Sequence, residues 1–331
     1  MTGFKNILVA VDTSKPAPLV LERAARLAEL SQGTLMLVDG VPHLSWAQRM
    51  SWSDSEHVQE LLLREKTAQL KKMASSLRRR GIAVKYKVLV GRSWEELIRQ
   101  VLRGKHDLLI RAAKGQHSVF RGALGSTAME LLRKCPCPVW LVHPEQEGPI
   151  ERVLAAVDTN PEKASHAELD DRVVTTAASL AGLLGARLDV LHVWSVYGER
   201  VVKDYMKSHE FAALEAAMHQ EHGECLQQLL ERNTLQLPPD QVHLIRGEAT
   251  VEIPQFASEH KADLIVMGTL ARAGVAGMLM GNTSEMVLHQ LNGSILAVKP
   301  PGFVSPVKLR PKKDEVGPVE LPKIMPQPPL P

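Results

Sequence analysis

The chain repeats itself, and the repeat limits what it can fold into. The stretch Asp107-Leu-Leu-Ile-Arg-Ala112-Ala-Lys-Gly115, with Gly125-Ser126-Thr127 after nine residues, returns 156 residues later. There it reads Asp263-Leu-Ile-Val-Met-Gly268-Thr-Leu-Ala271, with Gly281-Asn282-Thr283 after nine. Superimposed, the copies give one parent pattern, G-x-x-G-x9-G-[S/N]-T, from which each copy has lost a different glycine. Earlier, Ile7-Leu-Val-Ala-Val-Asp12-Thr13 recurs 146 residues on as Val153-Leu-Ala-Ala-Val-Asp158-Thr159, and Ala24–Ala28 recurs 153 residues on as Ala177–Ala181. The offset grows in steps, as insertions in loops would make it. A period of about 150 residues is a duplicated domain rather than a solenoid, whose units run about 20–50 residues.

Within the first copy, short apolar runs alternate with helical periodicity. Strands are expected over 6–11, 34–39, 83–89, 107–112 and 138–142, and helices over 16–31, 54–80, 93–103 and 124–134. Continuous apolar runs suit a parallel sheet covered on both faces. Strict β–α alternation predicts a doubly wound α/β sheet, with its ligand crevice beyond the C-terminal strand ends. Asp12, Asp158 and both glycine segments fall at such ends. The expected units are 1–147 and 148–304, followed by a flexible tail over 305–331. The stretch 300–331 holds ten of the 21 prolines, and its last residues could serve a partner as a polyproline ligand.

A net charge of +3 gives no electrostatic case for nucleic acid or a membrane surface. No apolar run approaches the ~20 residues of a membrane span, and no secretory leader precedes residue 10, so a soluble cytoplasmic protein is expected. Three cysteines fit a reducing compartment. Cys135-Pro-Cys137 is not a C-x-x-C redox pair and reads as a structural strand entry. The run Arg78-Arg79-Arg80 reads as a solvated helix end.

Glycines between a strand and a helix let backbone N–H groups approach a phosphate. In the second copy a phosphate tail would lie across Gly268 and the helix start at Gly281, near Thr283. The strand-ending Asp12 or Asp158 suits a ribose hydroxyl or a metal ion, and Asp-Thr ahead of a helix also reads as a capping sequence. His219, His222 and Cys225 lie at i, i+3 and i+6 of one helix. They are weak metal candidates, because three ligands on one helix make a poor cage. The nucleophile-elbow, zinc-protease and P-loop patterns are all missing. Binding without efficient chemistry is therefore expected.

With Asp263–Gly268-Thr, Met280-Gly281-Asn-Thr-Ser-Glu285 and Arg133-Lys-Cys-Pro-Cys-Pro-Val139 in view, both halves resemble the universal stress protein family, in particular its tandem, E-type members. The resemblance implies two five-stranded parallel sheets of strand order 3-2-1-4-5, pairing through their last strands. That pairing is internal in a tandem chain or forms a homodimer. It further implies a regulatory stress-response role without enzymatic turnover beyond very slow ATP hydrolysis. The implied ligand is ATP with Mg²⁺. Carried over by position, the second copy offers Asp158, Val193, Gly268, Gly281, Asn282 and Thr283. The first copy, the lesser candidate, offers Asp12, Gly115, Gly125, Ser126 and Thr127, with Gly40 at the adenine-contact position that Val193 fills in the second. Ala271, Asn282 and Ala112 depart from the family pattern. The competing reading is a scaffold, or a carrier of an apolar ligand, whose crevices have lost nucleotide.

Overall fold

The computed structural model describes residues 3–14, 17–42, 55–113, 124–159, 167–269, 281–291 and 293–309. In the first repeat the elements are β1 (Asn6–Ala10), α1 (Pro18–Ser31), β2 (Thr34–Val41), α2 (Ser55–Arg79), β3 (Ala83–Val90), α3 (Ser93–Gly104), β4 (Leu108–Ala112), α4 (Ser126–Lys134) and β5 (Val139–Val142). In the second they are β6 (Arg152–Val157), α5 (Ala167–Leu184), β7 (Arg187–Trp194), α6 (Glu199–Tyr205), α7 (Ser208–Arg232), β8 (Val242–Arg246), α8 (Ala249–Glu259), β9 (Leu264–Gly268), α9 (Asn282–Gln290) and β10 (Ser294–Val298). The extra short helix α6 has no described counterpart in the first repeat.

Each half is a parallel sheet of order 3-2-1-4-5, as the alternation and the resemblance imply. The two halves are not separate sheets, however. β5 pairs antiparallel with β10, giving one ten-stranded sheet of order β3-β2-β1-β4-β5-β10-β9-β6-β7-β8. The last strands carry apolar residues on both faces, so an open edge there would expose a flat hydrophobic template; pairing them removes it. The free edge at β3 instead presents Lys85 and Lys87 to solvent, a common defence against edge-to-edge association.

Both faces of the sheet are covered by helices, and each layer runs through both repeats. One core joins Ala24 and Leu27 of α1 and Leu70 of α2 to Leu180 of α5 and Leu229 of α7. The other joins Ile98 of α3 and Leu132 of α4 to Phe256 of α8 and Val287 of α9. The aspartates that open the repeated motif act at the opposite end of the sheet from the crevices. Asp107 accepts the backbone N–H groups of Lys5 (2.7 Å) and Asn6 (3.0 Å). Asp263 does the same for Glu151 (2.8 Å) and Arg152 (2.9 Å). Each therefore ties the entry of a first strand to the fourth strand of its repeat.

The run Arg78–Arg80 is a solvent-exposed helix end, as expected, and the Arg80 guanidinium also bridges Glu22 (2.7 Å) and Glu29 (2.9 Å) of α1. This pairing holds the Glu22 carboxyl below its ordinary range. At the other end, residues 305–309 return to the first repeat. The Lys308 carbonyl accepts from Arg99 Nε of α3 (3.3 Å), and Val307 packs on the core of that face. Residues 310–331, with the polyproline stretch, lie outside the described residues.

Candidate functional site

The topology opens a crevice at the C-terminal strand ends of each repeat, where β1 and β4, or β6 and β9, feed helices on opposite faces. Asp12 and Asp158 stand exposed just beyond β1 and β6. The register Ala156↔Met267 sets the end of β6 beside Gly268. Gly125 and Gly281 are the N-cap residues of α4 and α9, with extended backbones of φ −64° and −60°. Both helix N-termini thus open toward a crevice, but neither glycine holds a left-handed conformation. Ser126 and Thr283 are exposed in the first turns, and Thr127 is half-buried. Asn282 begins α9; Gly115 and Ala271 lie outside the described residues. Ala112 is an ordinary residue of β4, so its methyl carries no backbone strain.

Gly268 has a packing reason to be glycine. A Cβ there would come 2.7 Å from Cδ2 of Leu169, in the first turn of α5. The helix after the inserted stretch presses directly on the end of β9. That helix also brings a carboxylate to the crevice: the Asp158 backbone N–H donates to Asp170 Oδ1 (3.1 Å). Asp170 is buried, and burial together with the nearby Asp158 charge pushes its pKa up to about 7.

Beneath the strand ends the two crevices are built differently. In the first repeat the buried Asp39 of β2 accepts Thr13 N–H (2.9 Å), Thr13 Oγ1 (2.6 Å), its neighbour Gly40 N–H (2.6 Å) and Lys66 Nζ of α2 (2.6 Å). Arg111, at the end of β4, adds a guanidinium beside Asp12; burial lowers its pKa and Asp12 opposes that fall. In the second repeat the residue equivalent to Asp39 is His192. Its Nδ1 lies 3.1 Å from the Val157 carbonyl and its Nε2 lies 2.9 Å from His222 Nδ1 of α7. The carbonyl can only accept, so His192 donates to it from Nδ1. Trp194 stacks on His222 with ring centroids 5.6 Å apart.

A model of the universal stress protein family matches residues 3–143 and again 149–299. The chain belongs to the universal stress protein family. It is 29% identical over 315 residues to universal stress protein E of Photorhabdus laumondii, covering 93% of this chain and 99% of that one. To universal stress protein E of Escherichia coli K12 it is 26% identical over 323 residues, covering 95% and 100%. Among solved structures, a putative universal stress protein from Pseudomonas aeruginosa matches with a TM-score of 0.70 at 24% identity, over 90% of this chain and 94% of that one.

For a universal stress protein, the metal candidates on α7 resolve differently from their sequence spacing. His222 turns inward to His192, while His219 meets the edge of Trp194 at 5.9 Å. Cys225 is half-buried, with its thiol pKa raised by burial and by Glu221 and Glu224. The three therefore do not converge, and no group of three or more metal-binding side chains occurs among the described residues. Val193 sits next to His192 in β7, and its side chain packs on the opposite face of the sheet. Sequence reasoning gave no role to Thr13, Asp39, Lys66, Asp170 or His192. The signal was present in the repeat offsets: Asp39 falls on His192 and Lys66 on His222. Only the fold shows that these positions touch.

Proposed function

We propose that this universal stress protein is a regulatory stress-response protein that binds adenine nucleotide in its second repeat. One arrangement supports the reading: Asp158, the Gly268 strand end and the N-terminus of α9 all lie at the C-terminal strand ends of the second repeat. The phosphates would lie over the N-terminus of α9, where backbone N–H groups and the helix dipole favour anions. Asn282 and Thr283 border that path. The base would lie at the end of β7 near Val193, and the ribose near Asp158. Asp158 and Asp170 suit an accompanying Mg²⁺ chemically, because carboxylate oxygens are the ligands a hard cation takes. Binding itself is the proposed event.

The test uses the full chain, since the two repeats share both cores. Equilibrium titration with ATP and Mg²⁺ should show saturable binding. Gly281→Val should abolish it by filling the phosphate path, while Gly125→Val should leave it intact. Loss with Gly125→Val instead would move the site to the first repeat. Failure of the unmodified chain to bind at millimolar ATP would remove the nucleotide reading.

A further inference from the structure

Three positions of the repeat line the crevice floors, and two of them hold different residues in the two copies. In the first copy they are Thr13, Asp39 and Lys66; in the second they are Thr159, His192 and His222. The correspondence follows the repeat offsets and is confirmed by contact. Lys66 Nζ meets Asp39, and His222 Nδ1 meets His192, from the same point of the long helix in each half.

The copies differ in what those contacts consume. Asp39 gathers two backbone N–H groups, a hydroxyl and an ammonium. One of those N–H groups belongs to Gly40, the position facing the base in the reading above. The carboxylate therefore spends, inside the protein, donors that a ligand would use. Because it is buried and paired with an ammonium, removing either partner is expensive, so a neutral ligand edge cannot simply displace it. In the second copy the imidazole of His192 turns to the Val157 carbonyl instead. Thr159 Oγ1 is buried, on a residue only 8% exposed, with no hydrogen-bond partner among the described residues. Such a hydroxyl, at the end of β6 beside Asp158, has hydrogen-bonding capacity left for a ligand group.

We infer that Asp39, held by Lys66 and Thr13, is a built-in plug that closes the first crevice, and that Thr159 is a ligand-contacting residue of the second. Each chain thus takes one nucleotide, although it has two copies of the binding fold. This inference rests on the nucleotide reading above, and its test separates the two.

The experiment is calorimetric titration of the full chain with ATP and Mg²⁺, with thermal melting to verify folding of every variant. The unmodified chain should bind one equivalent. Thr159→Val, which keeps shape and removes the hydroxyl, should weaken binding about tenfold, while Thr13→Val should leave affinity unchanged. The double change Asp39→His with Lys66→His installs the second copy's pair and should raise the count to two, the added site being lost with Gly125→Val. One equivalent in a folded double variant overturns the plug and leaves the nucleotide reading standing. Binding by the double variant alone upholds the plug and removes the second-repeat reading. Binding by neither overturns both. Should the double variant fail to fold, the unmodified chain decides: two equivalents, one of them lost with Gly125→Val, overturn the plug, and one equivalent weakened by Thr159→Val upholds the inference.

Discussion

Trp140 and Leu296 are the same position of the repeat, and they lie directly opposite each other in the β5–β10 ladder. On either side, Val139 faces Ala297 and Leu141 faces Ile295, so the pairing is symmetric about that one contact. A pseudo-twofold axis passes through it. The position holds a Trp in one copy and a Leu in the other, both fully buried in the same core. Trp140→Ala should cost about 3–5 kcal/mol. Trp140→Phe should cost much less, because the indole N–H it removes is buried without a partner. Urea unfolding followed by fluorescence and circular dichroism checks both. A single shared transition is expected, since each core spans both repeats; separate transitions for the halves would contradict that coupling.

Asp170 predicts a pH dependence. Its folded pKa of about 7 stands above the ordinary 3.8. Between those values the folded chain holds a proton that the unfolded chain releases, so stability falls as pH rises through that window. Asp170→Asn keeps an oxygen to accept the Asp158 N–H and cannot ionise. It should stabilise the protein by about 1–3 kcal/mol at pH 8 and have little effect at pH 4. Denaturant midpoints at the two pH values measure the difference, and equal effects at both would show that Asp170 does not titrate in this window.

Lys299 acts in the opposite direction. Its buried ammonium donates to the Leu132 carbonyl at the end of α4 and to Thr269 Oγ1 (2.6 Å), joining the repeats. Burial lowers its pKa from 10.5 to about 7. Across that interval the unfolded chain holds the proton that the folded chain has shed, so stability rises with pH. Lys299→Met should remove this rise, appearing relatively favourable at pH 6 and relatively unfavourable at pH 9. Paired melting curves across that range would reveal a constant offset if the amine stays charged.

Gly268 tests packing apart from binding. Gly268→Ala should lose about 1–3 kcal/mol as its methyl meets Leu169, and Leu169→Ala should recover part of that loss in the double variant. Simple additivity of the two costs would show that the residues do not press on each other.

Much of this architecture was legible in the sequence because it rests on periodic features. Buried parallel strands read as unbroken apolar runs, and a duplication states every element twice. The internal joining of β5 to β10 came from the resemblance, since no spacing rule marks which edges meet. The crevice was legible only at its rim. Asp158, Gly281 and Thr283 lie in contiguous motifs at strand or helix ends, where short patterns carry meaning. The floor was not legible: Asp39 meets Lys66 across 27 residues, and His192 meets His222 across 30. An isolated Lys or His on a long polar helix looks like solvated surface until the helix is laid over the sheet. Gly268 carries a second role that the motif did not announce: beside its ligand reading, the Leu169 side chain of α5 occupies the space a Cβ there would need.

The antiparallel joining of β5 to β10 has a consequence for inheritance. Two identical subunits meeting on a twofold axis share one gene, so any change that seals one cleft seals its mate. Here both clefts are encoded separately within one polypeptide. One floor can hold a carboxylate while the other holds a histidine, and Trp can face Leu at an axis where identical partners must place like against like. Fusion fixed the geometry of the pair and released its two members to specialise.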